Sequence, residues 1–367
     1  MSLSIVSIGT ALPQSCVSQA ESVKIAQVVA GLDREEDDFL PSLYRQTTIA
    51  KRHLAFEQGV VHDILHGTKH TASAFLPAGD GADPGPTTAQ RMRHYIEQAG
   101  PLAVRAARQA LDESDLSAAE FTHLITVSCT GFSAPGVDVE LIRKLGLSPT
   151  IERTHVGFMG CHGALNGLRV ARAYADACPR ARVLLCAVEL CGLHYHYPRN
   201  PKKMVANALF ADGAAALVGV PSEIDRGSWQ VVASGSCIFP ESEFAMTWNI
   251  GDHGFEMTLA TRVPELIARN LRPCLDRWLA GQGLRLEDVR SWAVHPGGPR
   301  ILTAVEEALD LNEEATAASR EVLAECGNMS SATMLFVIDR LRKRVAARPC
   351  VALGFGPGLT AEVALFQ

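Results

Sequence analysis

The 367-residue chain lacks the features that mark membrane, secreted and nucleic-acid-binding proteins. It has no apolar run of the roughly 18 residues that a membrane-spanning helix needs. Residues 1–13 lack the basic start and long apolar block of a signal peptide. Acidic side chains (40) outnumber basic ones (34), so the net charge is −6 and no overall positive field is available to hold nucleic acid. We therefore expect a cytoplasmic protein with no membrane partner and no nucleic-acid partner.

Metal and nucleotide motifs are also scarce. The ten cysteines are scattered without a C-x-x-C pair, and we expect them to be reduced thiols, mostly in the core. Neither a glycine-rich dinucleotide loop nor a P-loop occurs. His62 and His66 are spaced to share one face of a helix, but no third ligand accompanies them. The sequence therefore predicts no metal site and no bound cofactor.

The chain does show an alternation of short apolar runs with helical stretches, which is typical of an α/β fold. Stretches 90–111 and 262–279 carry apolar residues at helical spacing. Segment 67–89 is rich in Gly, Pro, Ser and Thr and predicts a surface loop that ends at a helix cap near Thr87 or Thr88. The predicted strands are 3–8, 124–127, 183–188, 214–218, 292–294 and 351–353.

An internal repeat emerges when the two halves of the chain are aligned. Three pairs of residues share an offset of 167 positions: His295 on Ser128, Asn328 on Cys161, and Leu353 on Cys186. Gene duplication explains the common offset, and the similar periods of unrelated βαβ units are the alternative. We predict two halves, 1–220 and 221–367, with Cys161 and Asn328 at equivalent helix N-termini.

Cys161 is the strongest candidate for a nucleophile. It lies in Gly157-Phe-Met-Gly-Cys-His-Gly, where glycines allow a tight strand-to-helix bend and a helix-forming run follows. The N-terminus of a helix carries a partial positive charge that favours a thiolate over a thiol. For the other nine cysteines we expect the role of a small apolar core residue.

His295 and Asn328 are the next candidates. His295 follows directly on a predicted strand, and α/β proteins place ligand chemistry at the C-terminal ends of strands. Asn328 opens an apolar helix, where helix capping is the alternative role. Its equivalence to Cys161 places it on the same face, where an amide can donate hydrogen bonds to a developing oxyanion.

These residues lie in motifs that together resemble those of type III polyketide synthases, the chalcone and stilbene synthase-like enzymes. The motifs are Gly160-Cys161, His295-Pro-Gly-Gly-Pro, Gly327-Asn328-Met-Ser-Ser and Gly354-Phe-Gly-Pro-Gly-Leu-Thr-Ala-Glu362, in order over nearly the whole chain. The resemblance implies a thiolase-like α/β fold, in which two duplicated αβαβα halves form a five-layered core, and a homodimer. It also implies acyl-CoA and malonyl-CoA as substrates.

Two other readings of the sequence stay open. Ketoacyl synthases that initiate fatty-acid synthesis share a Cys/His/Asn set, but their histidine usually lies in His-Gln-Ala-Asn rather than His-Pro-Gly-Gly-Pro. A non-catalytic acyl-binding relative is the second alternative, and the intact Cys/His/Asn set argues against it. Release of carbon dioxide from malonyl-CoA would separate an enzyme from such a binding protein.

The resemblance also assigns pocket positions by motif. Phe210, in Leu209-Phe-Ala-Asp-Gly213, corresponds to the gatekeeper phenylalanine of the family, and Met257 replaces the second one. Trp248, at a position that commonly holds glycine, and Phe255 are expected to narrow the elongation cavity. The remaining predicted pocket residues are Cys129, Ala134, Cys191, His194 and Ser330, and Ala134 replaces a larger residue that often reaches across the dimer. The predicted CoA-binding residues are Arg45, Lys51, Arg52, Gly297, Gly298 and Arg300.

The resemblance finally implies a reaction. The Cys161 thiolate, kept ionised by His295, would take an acyl group from an acyl-CoA starter. His295 and Asn328 would stabilise the enolate that forms when malonyl-CoA loses carbon dioxide. A narrow cavity favours a triketide or tetraketide, released as a pyrone or as a resorcinol- or phloroglucinol-type ring.

Overall fold

The computed structural model describes residues 2–32, 39–78, 83–197, 200–224 and 229–367. Within these ranges the strands are β1 Leu3–Ala11, β2 Ser15–Ser18, β3 Lys51–Leu54, β4 His123–Ser128, β5 Glu152–Gly157, β6 Val183–Leu190, β7 Asp212–Pro221, β8 Gln230–Ile238, β9 Met246–Gly251, β10 Gly254–Leu259, β11 Ser291–Val294, β12 Cys350–Gly356 and β13 Thr360–Phe366. The helices are α1 Gln19–Val29, α2 Phe39–Gln46, α3 Gln58–His66, α4 Thr88–Asp112, α5 Val137–Leu145, α6 Gly163–Ala177, α7 Pro201–Leu209, α8 Val263–Ala280, α9 Pro299–Leu309, α10 Ala317–Cys326 and α11 Ser331–Lys343.

Nine of these strands form one mixed sheet in the order β11-β12-β13-β8-β1-β7-β6-β4-β5. The order β4-β6-β7-β1 of the first half recurs as β11-β12-β13-β8 in the second, each with one parallel pair followed by antiparallel pairs. The two halves meet where Leu3 and Ser4 of β1 pair with Val231 and Gln230 of β8. This repeated strand order confirms the predicted duplication.

The helices separate the two halves of the sheet into layers. Apolar side chains of α6 and α11, such as Leu168 and Leu335, pack in one core with inward-facing residues of both half-sheets. Helix α4 covers the outer face of the first half, and α8 and α9 cover the outer face of the second. The layers run helix, sheet, helix, sheet, helix, which confirms the predicted thiolase-like five-layered core.

The region before α4 ends at a helix cap, as predicted. Thr87 caps the helix, and its side chain accepts a hydrogen bond from the backbone N–H of Gln90. In the described part of segment 67–89, no helix or strand precedes Thr88, and residues 79–82 of that segment lie outside the described residues. None of the described helices combines the length and apolar character needed to cross a membrane.

Candidate active site

Cys161 lies in a short 3-10 turn, Gly160–His162, directly before α6. The bend into this turn uses left-handed backbone at Phe158 (φ 59°) and at Gly160 (φ 73°). A Cβ atom at Gly160 would overlap Pro357, so only glycine fits this approach. The turn holds the nucleophile candidate at the N-terminus of α6, as predicted, with only 6% of the residue exposed.

His295 follows β11, and its backbone N–H donates to the carbonyl of Leu353 on β12 at 2.8 Å. The residue is 1% exposed, and neither ring nitrogen has a hydrogen-bond partner among the described residues. Burying an imidazole without partners is unfavourable unless the ring serves a ligand. His295 is therefore positioned to exchange a proton with a group that enters the site.

Asn328 is held by backbone and side-chain hydrogen bonds just before α11. Its backbone N–H donates to the carbonyl of Leu209 at 3.0 Å. Its Oδ1 accepts from the backbone N–H of Ser330 at 2.9 Å, and its Nδ2 donates to the carbonyl of Gly297 at 3.3 Å. The N-cap position of α11 is Ser330, whose side chain makes no capping hydrogen bond, and Asn328 lies two residues earlier. An amide nitrogen carries two hydrogens, and the second is directed toward Cys161, where it lowers the pKa of the thiol.

The three candidates converge on one cavity. Cys161, His295 and Asn328 line the same cavity, which we call the catalytic cavity. Gly297 and Phe355 contribute to its walls. The sulfur, the imidazole and the carboxamide, distant in sequence, thus face a common space in which a thioester can be held.

Burial affects the charge state of the site. Burial raises the pKa of the Cys161 thiol to about 11, although hydrogen bonds from Ser330 and Asn328 oppose this. Burial, and secondly the charge of a neighbouring His162, lower the pKa of His295 to about 3. Both shifts favour a neutral thiol and a neutral imidazole. Desolvation of Cys161 thus opposes the thiolate that the helix N-terminus favours, and the standing thiolate stays a prediction.

A second cavity lies behind the catalytic cavity, and the gatekeeper candidates lie between them. Phe210 and Met257 line both the catalytic cavity and this second one, which we call the inner chamber. Four of the predicted pocket residues line the inner chamber, namely Cys191, His194, Trp248 and Phe255. Together with Ala206, Phe210 and Met257 lie between Cys161 and the inner chamber.

Three aromatic side chains form one wall of the inner chamber. The His194 ring stacks on Phe255 at a centroid distance of 4.1 Å, and Trp248 meets both rings edge-on. Nδ1 of His194 accepts from the backbone N–H of Phe255 at 2.9 Å, and Nε2 lies 2.7 Å from the carbonyl of Thr130. One accepting and one donating nitrogen define a neutral ring, and burial lowers the pKa of His194 to about 3. His194 is therefore a fixed part of the wall.

The other predicted pocket residues lie outside the linings of these two cavities. Cys129 is buried, its Sγ lies 3.3 Å from Oγ of Ser330, and its carbonyl accepts from Nε1 of Trp248 at 2.8 Å. Cys129 and Ser330 thus form a layer behind Trp248 and Cys161. Ala134 lines a separate open groove together with Phe132.

The predicted CoA residues divide into three groups. Arg45, Lys51 and Arg300 are exposed to solvent and remain available to an anion. Gly297 lines the catalytic cavity, and the adjacent Gly298 packs on Leu209.

Arg52 requires a correction. It is 3% exposed, and its guanidinium donates to the carbonyls of Asn207, Ala208 and Phe210 and to Oε1 of Gln19. It therefore fixes the end of α7 beneath the gatekeeper. Because it is buried among these acceptors, Arg52 does not present a charge to the phosphates of CoA.

Glu189, which was not predicted as a site residue, places a carboxyl group in the interior beneath the site. Glu189 accepts hydrogen bonds from the backbone N–H of Cys129 at 3.0 Å and from Oγ1 of Thr130 at 2.7 Å, and it also bonds Oγ of Ser331. Burial raises its pKa above the ordinary value. Glu189 ties the end of β6 to the start of α11. A lone carboxylate at the end of the apolar run 183–190 was the signal that could have revealed it.

Comparison with known families gives matches over almost the whole chain. Residues 2–222 match the family described as "Chalcone and stilbene synthases, N-terminal domain". Residues 230–367 match the corresponding C-terminal domain. The two matched ranges contain all the residues that line the catalytic cavity.

Individual relatives agree with this assignment. The chain is 32% identical to "Alpha-pyrone synthesis polyketide synthase-like Pks18" of Mycobacterium tuberculosis, over 98% of this chain and 90% of that protein. It is 33% identical to "Bisdemethoxycurcumin synthase" of Oryza sativa subsp. japonica, over 99% of this chain and 92% of that protein. The crystal structure of PKS-I from the brown alga Ectocarpus siliculosus superposes with a TM-score of 0.90 at 32% identity, over 100% of this chain and 98% of that one. Fold, site and relatives together show that the chain belongs to the chalcone and stilbene synthase family, the type III polyketide synthases.

Proposed function

We propose that this polyketide synthase loads an acyl-CoA starter onto Cys161 and extends it with malonyl-CoA to a triketide or tetraketide. The observation that carries the proposal is the shared catalytic cavity of Cys161, His295 and Asn328. The same cavity holds one nucleophile, one imidazole with both nitrogens unpaired among the described residues and one amide donor beside the nucleophile. No cofactor enters the proposed cycle.

Loading of the starter begins with proton transfer. His295 accepts the proton of the Cys161 thiol, and the thiolate attacks the thioester carbonyl of the acyl-CoA. The bond between the carbonyl carbon and the CoA sulfur breaks, and CoA leaves with the proton from His295. Since burial disfavours the separate charges, we propose that this transfer accompanies attack.

Extension uses the same donors in a different way. The thioester oxygen of malonyl-CoA accepts hydrogen bonds from Asn328 and His295, and the bond to the carboxylate breaks to release carbon dioxide. The electron pair of that bond forms the enolate, whose carbon attacks the acyl group on Cys161. The acyl–sulfur bond breaks, which frees the Cys161 thiolate, and the extended chain stays on the CoA that malonyl-CoA brought. For the next round the thiolate attacks that thioester, CoA leaves, and the chain is again bound to Cys161.

The size of the inner chamber sets the expected product. Trp248, His194 and Phe255 occupy one wall, so a chain past Phe210 and Met257 has limited room. A short chain with alternating carbonyls closes readily to a six-membered lactone. The name of the mycobacterial relative, which refers to alpha-pyrone synthesis, supports a pyrone product here. A small resorcinol or phloroglucinol ring is the alternative ring closure.

A homodimer is part of the proposal. Strand β5 ends the nine-stranded sheet and is largely exposed, so its free backbone groups can pair with a second chain. Close to it, Phe132 is 42% exposed and Met159 is 39% exposed. Exposed apolar side chains beside a free strand edge favour contact with a second copy. A cytoplasmic location stays a prediction.

The test is a product assay with the purified protein. Malonyl-CoA is supplied with a panel of acyl-CoA starters, and released carbon dioxide and product masses are measured for the natural chain and for Cys161→Ala. We expect triketide or tetraketide products from the natural chain and no condensation by the variant. Failure to use malonyl-CoA, or formation of long polyketides alone, would refute the proposal.

A further inference from the structure

Two tyrosines meet in the lining of the inner chamber, and the proposed cycle uses neither of them. Tyr44 lies on α2, and Tyr195 follows the short 3-10 turn Cys191–His194 after β6. Both residues line the inner chamber, and so does Arg52. Tyr44 is buried, and Tyr195 is half-buried. The chamber therefore has a polar group in its lining in addition to its aromatic wall.

The hydroxyl groups of the two tyrosines hold one hydrogen more than they use. Their oxygens lie 2.9 Å apart, so one hydroxyl donates to the other. Each phenol carries one hydrogen, and burial raises the pKa of both phenols, so both hydrogens are present at neutral pH. One hydrogen is used between Tyr44 and Tyr195, and the second has no acceptor among the described residues. The pair can therefore donate one hydrogen bond to a ligand.

Arg52 brings a second donor without an acceptor to the same place. Its guanidinium carbon lies 5.4 Å from the centre of the Tyr44 ring. The two terminal nitrogens donate to protein acceptors, but Nε is buried and has no partner in the described part of the chain. A buried donor that finds no acceptor is unfavourable, and native structures keep few of them. Two such donors on neighbouring side chains of one cavity indicate a place for an acceptor oxygen.

Other polar side chains of the lining are already bonded to the protein. Oδ1 of Asn207 accepts from the backbone N–H of His196 at 2.9 Å, and Nδ2 donates to the His196 carbonyl at 2.7 Å. Lys203 and Glu256 form an ion pair at 2.9 Å, and both ring nitrogens of His194 are bonded. The donors that still need an acceptor are thus those of the tyrosine pair and of the guanidinium beside it.

The chemistry of these donors defines the class of ligand. O–H and N–H groups bind an oxygen, and the positive charge of Arg52 favours an oxygen that carries negative charge. A chain built from malonyl units has a carbonyl at every second carbon, and a carbonyl in such a chain readily becomes an enolate. A polyketide chain therefore presents the acceptor that this part of the chamber lacks.

We propose that the hydroxyl pair of Tyr44 and Tyr195, with Arg52 beside it, binds a carbonyl oxygen of the growing chain in the inner chamber. The bound chain is held while the next malonyl-CoA enters, so the pair determines how many extensions precede release. The inference rests on the proposed function in one respect, namely that the chain extends from Cys161 into this chamber.

The test compares Tyr44→Phe, Tyr195→Phe and the double variant in the product assay. The measured quantity is the ratio of the longest natural product to the product that is one malonyl unit shorter. Each single variant keeps one hydroxyl, whose hydrogen is then free for the ligand, so this ratio should fall less than about threefold. The double variant has no hydroxyl left, and the ratio should fall about five- to tenfold, the usual effect of one lost hydrogen bond.

A purely structural role of the pair predicts the reverse order. If the hydroxyls served only each other, each single variant would leave one buried hydroxyl without a partner. The double variant would instead leave an apolar contact of similar shape, which is nearly neutral. The product ratio would then fall more in the single variants than in the double variant. That order, or an unchanged ratio in the double variant, would overturn the inference.

Tyr174→Phe combined with Thr154→Val is the matched control. The Tyr174 hydroxyl lies 2.6 Å from Oγ1 of Thr154, so this pair also joins two hydroxyls, but neither residue lines the inner chamber or the catalytic cavity. The control should keep the natural product ratio. A fall as large as in the double tyrosine variant would show that loss of any such pair alters the products, and the assignment would be wrong.

A binding measurement that needs no turnover separates this inference from the proposed function. The probe is 4-hydroxy-6-methyl-2-pyrone, which has the oxygen pattern of a cyclised triketide, and isothermal titration calorimetry gives its Kd. We expect binding to the natural chain, a rise in Kd of about five- to tenfold in the double tyrosine variant, and no rise in the control. If the natural chain binds no pyrone, or the double variant binds it as tightly, the inference fails even in an active enzyme. If these affinities are found but malonyl-CoA is not used, only the proposed function fails.

Discussion

At the scale of single residues, Asn328 should separate the two halves of the proposed cycle. In the proposed cycle its amide donates a hydrogen bond to the oxygen of the thioester enolate, which forms only during decarboxylation. Asn328→Ala should therefore slow release of carbon dioxide from malonyl-CoA by about 10²- to 10³-fold, while Cys161 is still acylated by the starter. Labelled starter bound to the protein and labelled carbon dioxide measure the two steps separately.

The control for this prediction is Asn312→Ala, because Asn312 is an exposed capping residue before a short 3-10 turn. That variant should keep both steps. The assignment of Asn328 would be wrong if labelled starter failed to attach to Asn328→Ala while extension survived.

The raised pKa of Cys161 makes a second residue-scale prediction. A thiol whose pKa is raised to about 11 is protonated at neutral pH, and the thiolate fraction grows as the pH increases toward that value. The rate of alkylation of Cys161 by iodoacetamide should therefore keep rising between about pH 7 and pH 9, roughly tenfold per pH unit. Mass spectrometry identifies the modified residue, and Cys161→Ser accounts for reaction elsewhere. A constant rate over this range would instead indicate a thiolate already paired with His295.

The convergence of Cys161, His295 and Asn328 could be predicted from the sequence because each follows a small-residue turn or a strand end at equivalent points of a duplication. The charge state of Cys161 could not, because it depends on how completely other segments exclude water. Arg52 was misassigned for the same reason. Its sequence neighbours are polar, and only the carbonyls of residues 207–210 show that its charge is used inside the protein.

At the scale of secondary structure, the packing of β1 on α4 is tight enough to test. A Cβ atom at Gly9 would overlap the carbonyl of Ala106 and the amide of Ala110 in the last third of α4. Because backbone cannot move aside as a flexible side chain can, Gly9→Ala should lower the free energy of unfolding by about 3 kcal/mol. Chemical denaturation measures the change.

Gly283→Ala is the comparison for Gly9→Ala. Gly283 has left-handed backbone (φ 72°), and nothing lies within 4 Å of its would-be Cβ. Gly283→Ala should therefore lower the free energy of unfolding by the backbone strain alone, about 1 kcal/mol. Equal losses in the two variants would contradict the claim that β1 and α4 are in close contact.

The long amphipathic helices were predictable because their signal is local. Helix α4, expected at 90–111, spans Thr88–Asp112, and α8, expected at 262–279, spans Val263–Ala280. Strands β5 and β9 gave no such signal. Both carry several exposed or half-buried polar residues, so their conformation depends on pairing with β4 and β10 rather than on their own pattern.

At the scale of the whole molecule, the inner chamber links the fold to the length of the product. The hairpin of β9 and β10 brings Trp248 and Phe255 against His194 from the first half of the chain. Trp248→Gly removes the largest side chain of this wall and should shift the products toward longer polyketides, with the loading rate of Cys161 kept. Product masses measure the shift.

Trp278→Phe is the matched control for Trp248→Gly, because Trp278 lies on α8 in an outer layer, away from both cavities. It should leave the product pattern unchanged. An unchanged pattern in Trp248→Gly would mean that something other than this wall limits extension.

The proposed dimer is the property of the whole molecule that a single substitution can test. Phe132 is 42% exposed, and its ring lies 5.5 Å from that of Phe158, just after the end strand β5. If a second chain packs here, a charge at this position loses its contact with water, and the dimer becomes unfavourable. Phe132→Asp should therefore convert a dimer of about twice 39.4 kDa into a monomer of 39.4 kDa. Sedimentation equilibrium measures both.

Phe244→Asp, at a phenylalanine that is 79% exposed before β9, should leave the assembly intact, since Phe244 lies outside the groove that Phe132 lines. Monomers in the natural chain, or loss of the dimer in both variants alike, would remove β5 and Phe132 as the interface.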